Sequence, residues 1–158
     1  TVLPAGHVYR IWKVEVGGTE VNEVFAPQSV VIQLEDDIDI SRGDSLVVSS
    51  SVPELKNELN VILCWLDEKP LQPGNKYYLQ HHSRLVRSVV RNLECKLDVN
   101  TLQEKEITGP VMLNEVVKAT IKTASPVVYD SYASLQENGS AILIDETSNS
   151  TVAAVLFQ

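Results

Sequence analysis

The feature that most limits the folds open to this chain is a series of short apolar or alternating runs, each ended by turn-forming residues. Almost no window carries apolar residues at the spacing of an amphipathic helix. Many short strands joined by regular turns are typical of a β-barrel or a β-sandwich, so the chain is predicted to be all-β. The turn-forming pairs that separate the runs are Gly17-Gly18, Asp36-Asp37, Pro73-Gly74, Gly109-Pro110 and Asn138-Gly139.

Nine segments are predicted to be strands. The clearest alternation runs from Val117 to Lys122, where every second residue is apolar and the others are Lys or Thr. Such a pattern places one face of a strand in the core and the other in water. Asn138-Gly139 is expected to close a tight hairpin. The predicted strands are His7–Val16, Ser29–Leu34, Ser45–Ser50, Asn60–Leu66, Lys76–His82, Arg84–Leu97, Met112–Lys122, Ala141–Asp145 and Thr151–Phe157.

A change of composition near residue 51 divides the chain into two predicted domains. Ser49-Ser50-Ser51-Val52-Pro53, followed by the charged segment Glu54–Glu58, is typical of a domain junction. Residues 54–158 are enough for a complete barrel of six or seven strands. Residues 1–51 hold only about three strands, too few to close a barrel, and leave sheet edges open. The first domain is therefore expected to be incomplete, to self-associate through its open edge, and to belong to a longer protein.

The charge balance limits the kinds of partner the chain can bind, and the cysteines indicate the cellular compartment. The net charge is −8, and residues 1–51 hold three Lys or Arg against eight Asp or Glu. Because nucleic-acid affinity comes mainly from Lys and Arg contacts to phosphates, no nucleic-acid partner is expected. No apolar run approaches the roughly 20 residues of a membrane-spanning helix, so no membrane partner is expected either. Cys64 and Cys95, in apolar stretches without paired spacing, are expected to be reduced core thiols of a cytoplasmic protein.

Motifs for nucleotide chemistry and for covalent catalysis are missing from the sequence. A phosphate-binding loop ends in Gly-Lys-Ser or Gly-Lys-Thr, and these 158 residues contain no Gly-Lys dipeptide. Gly74-Asn75-Lys76-Tyr77-Tyr78 resembles the guanine-reading Asn-Lys-x-Asp motif only superficially, because Tyr78 stands where the carboxylate is needed. No Gly-x-Ser-x-Gly elbow is present. The prediction is that this segment has no catalytic and no cofactor-binding residues.

No metal-binding residues are predicted. His81 and His82 are neighbours on a predicted strand, where they would point to opposite faces and could not share a metal ion. The acidic run Glu35–Asp39 lacks the oxygen spacing of a calcium loop and is interpreted as a solvated turn. Arg42-Gly43-Asp44 after it is predicted to be a tight turn that enters the next strand.

One concentration of basic residues leaves two interpretations open. Arginine is favoured at protein interfaces, so the stripe could form a partner surface or an anion contact. Alternatively, it is a solvated face whose cations pair with neighbouring acids. The residues are Arg84, Arg87 and Arg91, with Lys76 and Lys96 nearby.

Several segments in the first half of the chain resemble one family. Residues 34–44 read LEDDIDISRGD, very like the LEDEIDISRGD segment that closes the second domain of the large, GTP-binding subunit of bacterial sulfate adenylyltransferase. Val2–Gly6 is similar to the VLPSG of that family, and Glu23–Pro27 is similar to its EEAFAG. The first residues of the chain therefore resemble the back half of the family's second domain.

The resemblance continues to the end of the chain. It is carried by Trp65–Gly74, Asp98–Leu102, Ile142–Asp145 and Asn149–Ala154, the last two of which resemble the family's final hairpin. One departure is the loss of the glycine that the family usually has near Ala153-Ala154, where backbones would approach closely. The order of these motifs is more specific than any one of them.

The resemblance implies a fold and a function. Members are built like translational elongation factors, with a GTPase domain followed by two β-barrels. They bind a smaller catalytic subunit that makes adenosine 5′-phosphosulfate from ATP and sulfate, a condensation driven by GTP hydrolysis. By this mapping, residues 1–51 are a partial second-domain barrel and residues 54–158 the third-domain barrel. GTP and Mg would be held by a GTPase domain outside these residues, and the segment itself would be a non-catalytic part of an enzyme of sulfate assimilation.

Two alternatives remain at this point. The chain could be the equivalent tail of a translation elongation factor that contacts aminoacyl-tRNA, although the acidic balance and residues 34–44 argue against it. It could also be a free-standing β-barrel interaction module.

Overall fold

The computed structural model describes residues 1–101 and 103–158 and divides them into two compact units, Thr1–Val52 and Pro53–Gln158. Leu102, the last residue of one family-like segment, lies outside the described residues. The described residues contain strands, turns and bends and no helix. The all-β fold class is confirmed.

The first unit contains two small antiparallel sheets and no closed barrel. Its strands are β1 (Val2–Leu3), β2 (Ile11–Val16), β3 (Thr19–Glu20), β4 (Val31–Leu34) and β5 (Ser45–Leu46). The order β3-β2-β4 forms one sheet, and β1 pairs with β5 in the other. The three strands predicted here overlap β2, β4 and β5, whereas the two-residue strands β1 and β3 carry too little sequence pattern to be predicted.

The second unit is a closed six-stranded antiparallel barrel with one additional short strand. The strands follow the spatial order β10-β6-β12-β11-β7-β8, and a further pairing of β8 with β10 closes the ring. The short β9 pairs only with the end of β8. The strands are β6 (Glu54–Trp65), β7 (Lys76–His81), β8 (Arg84–Leu97), β9 (Glu104–Lys105), β10 (Val116–Tyr129), β11 (Ser140–Asp145) and β12 (Thr151–Phe157).

The barrel interior follows the period-two pattern predicted from the sequence. Val117, Ala119 and Ile121 of β10 are at most 1% exposed, while Lys118 and Lys122 on the alternate positions reach solvent. Ala153, where the family usually has glycine nearby, is fully buried opposite Trp65, so a methyl group fits in this barrel wall. Burying large apolar side chains in this way supplies about 1.5–3 kcal/mol for each of them.

The largest errors in the predicted strand ends are at the start of β6 and at the end of β10. The charged segment Glu54–Glu58 is the first part of β6 and pairs with the end of β10, because a long strand can keep a solvated half while its other half lines the core. Strand β10 also continues past Lys122 to Tyr129. It does so through an irregular pairing between Lys122 and Val127, where Pro126 is tolerated because the ladder is already interrupted.

The expected hairpin at Asn138-Gly139 is also wrong. Strands β10 and β11 do not pair, and the turn leads instead into β11, which pairs with β12 and β7. Gly139 is required by a close backbone approach, since a Cβ at this position would lie 2.4 Å from Cα of Tyr132. A glycine that permits close packing was therefore mistaken for a glycine that permits a type I′ turn.

The two cysteines are free, as expected, but they are not core residues. Both are only half-buried, because Cys64 and Cys95 occupy outward-facing alternate positions of β6 and β8. Burial, followed by the nearby Glu104, raises the pKa of the Cys95 thiol. The apolar stretches around the two cysteines place apolar residues on both faces of the barrel wall. Hydrophobicity alone therefore did not predict which face each thiol occupies.

Candidate functional site: a cationic groove on the barrel

The strand register collects three basic residues on the outer face of the barrel. Lys76 of β7 and Lys122 of β10 are both directly opposite Val89 of β8, one in each of two neighbouring ladders. Directly opposed residues share a face, with Cβ atoms about 5 Å apart, so Val89 lies between two lysines whose Cβ atoms are about 10 Å apart. Arg87, two residues before Val89, emerges on the same face.

These side chains line an open cavity of about 510 Å³, which we call the cationic groove. Its cations are Lys76, Arg87 and Lys122, and its carboxylate is Glu146, immediately after β11. The apolar part of the lining comes from Val89 and from the methyl group of Ala124. The groove therefore combines three positive charges, one negative charge and a small apolar floor.

Two buried hydroxyls brace the strands that form the groove. Ser88 Oγ donates a 3.1 Å hydrogen bond to the backbone carbonyl of Tyr77, which joins β8 to β7. Thr123 Oγ1 donates a 2.9 Å hydrogen bond to the carbonyl of Ser125 within β10. Because both hydroxyl protons are donated to backbone carbonyls, the charged side chains are the hydrogen-bond donors that the groove offers to a ligand.

The charges in the groove are only partly neutralised. Arg87 Nε lies 3.8 Å from Glu146 Oε1, an ion-pair contact too long for a hydrogen bond. Glu146 Oε1 is buried and has no hydrogen-bond partner within the described residues. Tyr78, directly across the ladder, and then Glu146 raise the pKa of Arg87 above its ordinary value. The ion pairs seen among the described residues include neither Lys76 nor Lys122.

The basic stripe predicted from the sequence is thus divided between two roles. Arg91 pairs with Glu58 at 3.8 Å, and Lys96 pairs with Glu115 at 2.7 Å, as expected for a solvated face. Arg84 donates to Ser125 Oγ at 3.2 Å. Only Lys76 and Arg87 of the predicted stripe enter the groove. Lys122 was missed because it lies on a strand distant in sequence, and only the β8–β10 pairing brings it to the others.

The two adjacent histidines do not point apart as predicted. Strand β7 ends at His81, and His82 adopts a positive φ of 49°, so the ring centroids lie 4.3 Å apart. Both Nε2 atoms contact Asn138, His81 at the backbone oxygen and His82 at Oδ1, at 3.2 and 3.1 Å. Burial and then the neighbouring His82 lower the pKa of His81 to about 4. The prediction assumed that the strand stays regular through His82, but β7 ends at His81.

The remaining sequence features have structural roles. Gly74 has a φ of +89° in the turn before β7, and Tyr77 of the nucleotide-like run is buried. The tight turn at Arg42-Gly43-Asp44 is confirmed, with the Asp44 side chain accepting from the Ser41 N–H at 2.9 Å. Groups of three or more His, Cys, Asp or Glu positioned for a metal ion do not occur among residues 1–101 and 103–158.

The described part of the chain holds no helix with the length and hydropathy needed to cross a bilayer.

The closed barrel belongs to a recognisable sequence family. The GTP-eEF1A C-terminal domain-like family matches residues 58–157, which is most of the second unit. The chain belongs to this family. The match supports the elongation-factor-like architecture that the resemblance implied. It does not include residues 1–51, so their assignment to a preceding barrel stays a prediction.

Relatives of this family member extend the similarity over both units. The bifunctional enzyme CysN/CysC of Mycobacterium tuberculosis is 38% identical over 154 residues, which are 97% of this chain and 25% of that enzyme. Sulfate adenylyltransferase subunit 1 of Shewanella oneidensis is 37% identical over 158 residues, 98% of this chain and 33% of that subunit. The chain therefore spans about a quarter to a third of the length of these relatives, and the recognised resemblance is confirmed.

Solved structures share the fold at much lower sequence identity. Sup35 complexed with GDP superposes with a TM-score of 0.86 at 17% identity, covering 99% of this chain and 38% of that protein. Translation elongation factor SelB from Methanococcus maripaludis gives 0.76 at 17% identity, covering 99% and 35%. These structures establish the elongation-factor-like fold of the family member.

Proposed function

We propose that the chain is the β-barrel region of a GTP-binding subunit of sulfate adenylyltransferase, which couples GTP hydrolysis to the synthesis of adenosine 5′-phosphosulfate from ATP and sulfate. The observation that carries this proposal is the 37% identity to sulfate adenylyltransferase subunit 1 across both units. Similarity limited to the closed barrel would support only a general elongation-factor-like module. Similarity over residues 1–52 as well supports the more specific assignment.

Within the proposed protein, this region is a non-catalytic scaffold. GTP and Mg would be bound by a part of the whole protein other than these residues, because the phosphate-cradling Gly-Lys-Ser/Thr sequence is missing from them. The two hydroxyls of the groove, on Ser88 and Thr123, donate to backbone carbonyls and not to a side chain that could act as a base. The region would hold the GTPase part in place and present surface to its partner.

The proposed partner is the catalytic subunit of sulfate adenylyltransferase, in the cytoplasm. The designation "subunit 1" of the relatives supports an assembly of more than one kind of chain. A net charge of −8 disfavours nucleic acid as a partner. Self-association through the open edges of the β3-β2-β4 sheet is a second expected contact, and a concentration series in sedimentation velocity tests it.

The tail of a translation elongation factor is the weaker alternative. Sup35 and SelB share the fold at 17% identity, which supports the architecture alone. The relatives with 37–39% identity carry sulfate adenylyltransferase or CysN/CysC names. Aminoacyl-tRNA binding at moderate salt would favour the alternative.

The decisive experiment is calorimetric titration of this chain with the catalytic sulfate adenylyltransferase subunit from the same source, at two salt concentrations. We expect saturable binding, and no heat of binding with GTP and Mg. An unrelated acidic protein of similar size is the control for nonspecific heat. No binding by a chain shown to be folded would contradict the proposed contact, and GTP binding would contradict the scaffold role.

A further inference from the structure

The cationic groove is a local exception in an acidic protein. Lys76, Arg87 and Lys122 bring three positive charges to one face, against the single carboxylate of Glu146, in a chain whose net charge is −8. Lys76 and Lys122 are exposed and lie outside the ion pairs of the described residues. Such a patch favours a negatively charged partner at short range, whereas the rest of the surface repels one.

We infer that the cationic groove docks an extended acidic segment of a partner protein. In an extended peptide, side chains two residues apart point the same way and lie about 7 Å apart. Carboxylates at alternate positions of such a segment can therefore face Lys76 and Lys122, which stand on either side of Val89. The apolar floor of Val89 and Ala124 accommodates the aliphatic part of the same side chains.

Glu146 favours a peptide over a free anion as the ligand of the cationic groove. Its buried Oε1 lacks a hydrogen-bond donor and lies 3.8 Å from Arg87 Nε. Because this oxygen is buried, a bound peptide reaches it only after the Glu146 side chain rotates toward the groove. A backbone N–H of the peptide can then donate to it while the peptide side chains supply the carboxylates. Glu146 repels the carboxylates of a peptide as well as inorganic phosphate or sulfate, but only the peptide can offset this repulsion with a backbone N–H donor.

Nucleic acid fits the groove less well than a peptide does. Binding of single strands relies on aromatic side chains for base stacking as well as on basic residues. The described lining of the groove contains no aromatic residue, and Tyr78 beside it is engaged with Arg87. The acidic remainder of the chain also opposes the approach of a polyphosphate backbone.

This inference rests on the geometry of the barrel face and not on the function proposed above. The acidic segment is defined by its chemistry, and any chain that carries it can be the partner. A failed titration with the sulfate adenylyltransferase subunit would therefore leave the docking inference intact, and a failed peptide experiment would leave the proposed function intact.

The test is fluorescence anisotropy of the full chain with a fluorescein-labelled Glu-Val repeat peptide at low and moderate salt. We expect saturable binding that weakens with salt, and a loss of about tenfold for the double variant Lys76→Gln/Lys122→Gln. Lys96→Gln/Lys105→Gln is the matched control. It also removes two lysine charges, at paired positions of β8 and β9 that lie seven residues beyond Val89, and should leave binding unchanged.

Two variants of Glu146 test the hydrogen bond. Glu146→Gln and Glu146→Ala both remove the charge, but only glutamine keeps an acceptor oxygen. We expect the peptide to bind the Gln variant several-fold more tightly than the Ala variant. Inorganic phosphate, sulfate and a labelled oligonucleotide serve as competitors and should displace the peptide only weakly at matched ionic strength.

Several results would overturn the inference. They are no peptide binding by the folded chain at low salt, equal binding by the double-lysine variant, and equal binding by the two Glu146 variants. Strong competition by phosphate or sulfate would instead identify a small-anion site. Tighter binding of the oligonucleotide would identify a nucleic-acid surface, and either outcome refutes the peptide assignment.

Discussion

Both units are built from antiparallel strands, but their interiors are very different. Thr1–Val52 buries only Val2 and Leu3 among its apolar side chains, whereas the described residues of Pro53–Gln158 include a buried cluster of twenty, from Leu59 to Phe157. The exposed large apolar residues of the first unit are Val8, Ile11, Trp12, Phe25, Val31, Ile40, Leu46, Val48 and Val52. Burial in this protein therefore depends on closing the sheet and not on the hydrophobicity of single strands.

Closure explains the difference physically. In the second unit, the β8–β10 pairing joins the two ends of the sheet, so the inward residues of every strand meet in one core. In the first unit, the strands form two separate small sheets, whose edge strands are paired on one side only and whose faces are poorly covered by other side chains. We therefore expect the two units to respond differently to the same kinds of substitution.

The largest contrast should come from the two tryptophans, one in each unit. Trp65 is 1% exposed and Trp12 is 68% exposed. Trp65→Ala should lower the free energy of unfolding by about 3–5 kcal/mol, because it removes a large core side chain and leaves a cavity. Trp12→Ala should change it by less than about 0.5 kcal/mol. Guanidinium unfolding followed by circular dichroism measures both, and equal losses would refute the contrast.

Close packing in the second unit should extend into its loops. Gly139→Ala places a methyl group 2.4 Å from the Tyr132 backbone and should cost about 3 kcal/mol, since backbone atoms must shift. Gly109→Ala is the matched control, because a Cβ there meets nothing within 4 Å. Thermal unfolding of both variants gives the comparison. Similar melting temperatures would show that the loop relaxes without cost.

A buried histidine of the second unit should make the free energy of unfolding depend on pH. The pKa of His81 is about 4 in the folded state, lowered by burial from an ordinary value of 6.5. The unfolded chain therefore takes up this proton first, and the stability present above pH 6.5 is lost as the pH falls toward 4. Between pH 7.5 and pH 5 the loss from this residue is about 2 kcal/mol.

Two variants isolate that contribution. His81→Phe should remove this part of the pH dependence, whereas His7→Gln, at an exposed position of the first unit, should keep it. Urea unfolding at several pH values measures the two slopes. A slope for His81→Phe that matches the unmodified chain would mean that His81 does not titrate abnormally.

The smallest contrast concerns ion pairs. Lys96 and Glu115 are 2.7 Å apart and their side chains are 21% and 34% exposed, whereas Arg10 and Glu35 are 3.7 Å apart and 81% and 46% exposed. A double-mutant cycle with Gln should give about 0.5 kcal/mol of coupling for the first pair. We expect none above error for the second pair. Larger coupling in the first unit would reverse the comparison.

Much of the fold could be predicted from local patterns. Every predicted strand overlaps a real one, and the alternation around Ala119 identified the correct inward face. The errors occur where a pattern has two structural meanings. Gly139 serves a close approach to Tyr132 instead of a hairpin turn, and Glu54–Glu58, which precedes the predicted strand, is the solvated half of β6.

The candidate site was only half predictable. Lys76 and Arg87 belong to a basic stripe that is visible in the sequence, but Arg91 and Lys96 of the same stripe turn out to be paired with acids. Lys122 and Glu146 come from strands far along the chain. Their place in the groove depends on strand pairing, which local sequence does not encode.

The sequence by itself determined the all-β class, the positions of most strands and the family, because turn residues, two-residue periodicity and motif order are local properties of the chain. The tertiary structure alone decided which strands close the barrel, which cations share a face, and why His81 and His82 meet. Those outcomes depend on long-range register, and a shift of one residue in the β8–β10 pairing would move Lys122 away from Val89.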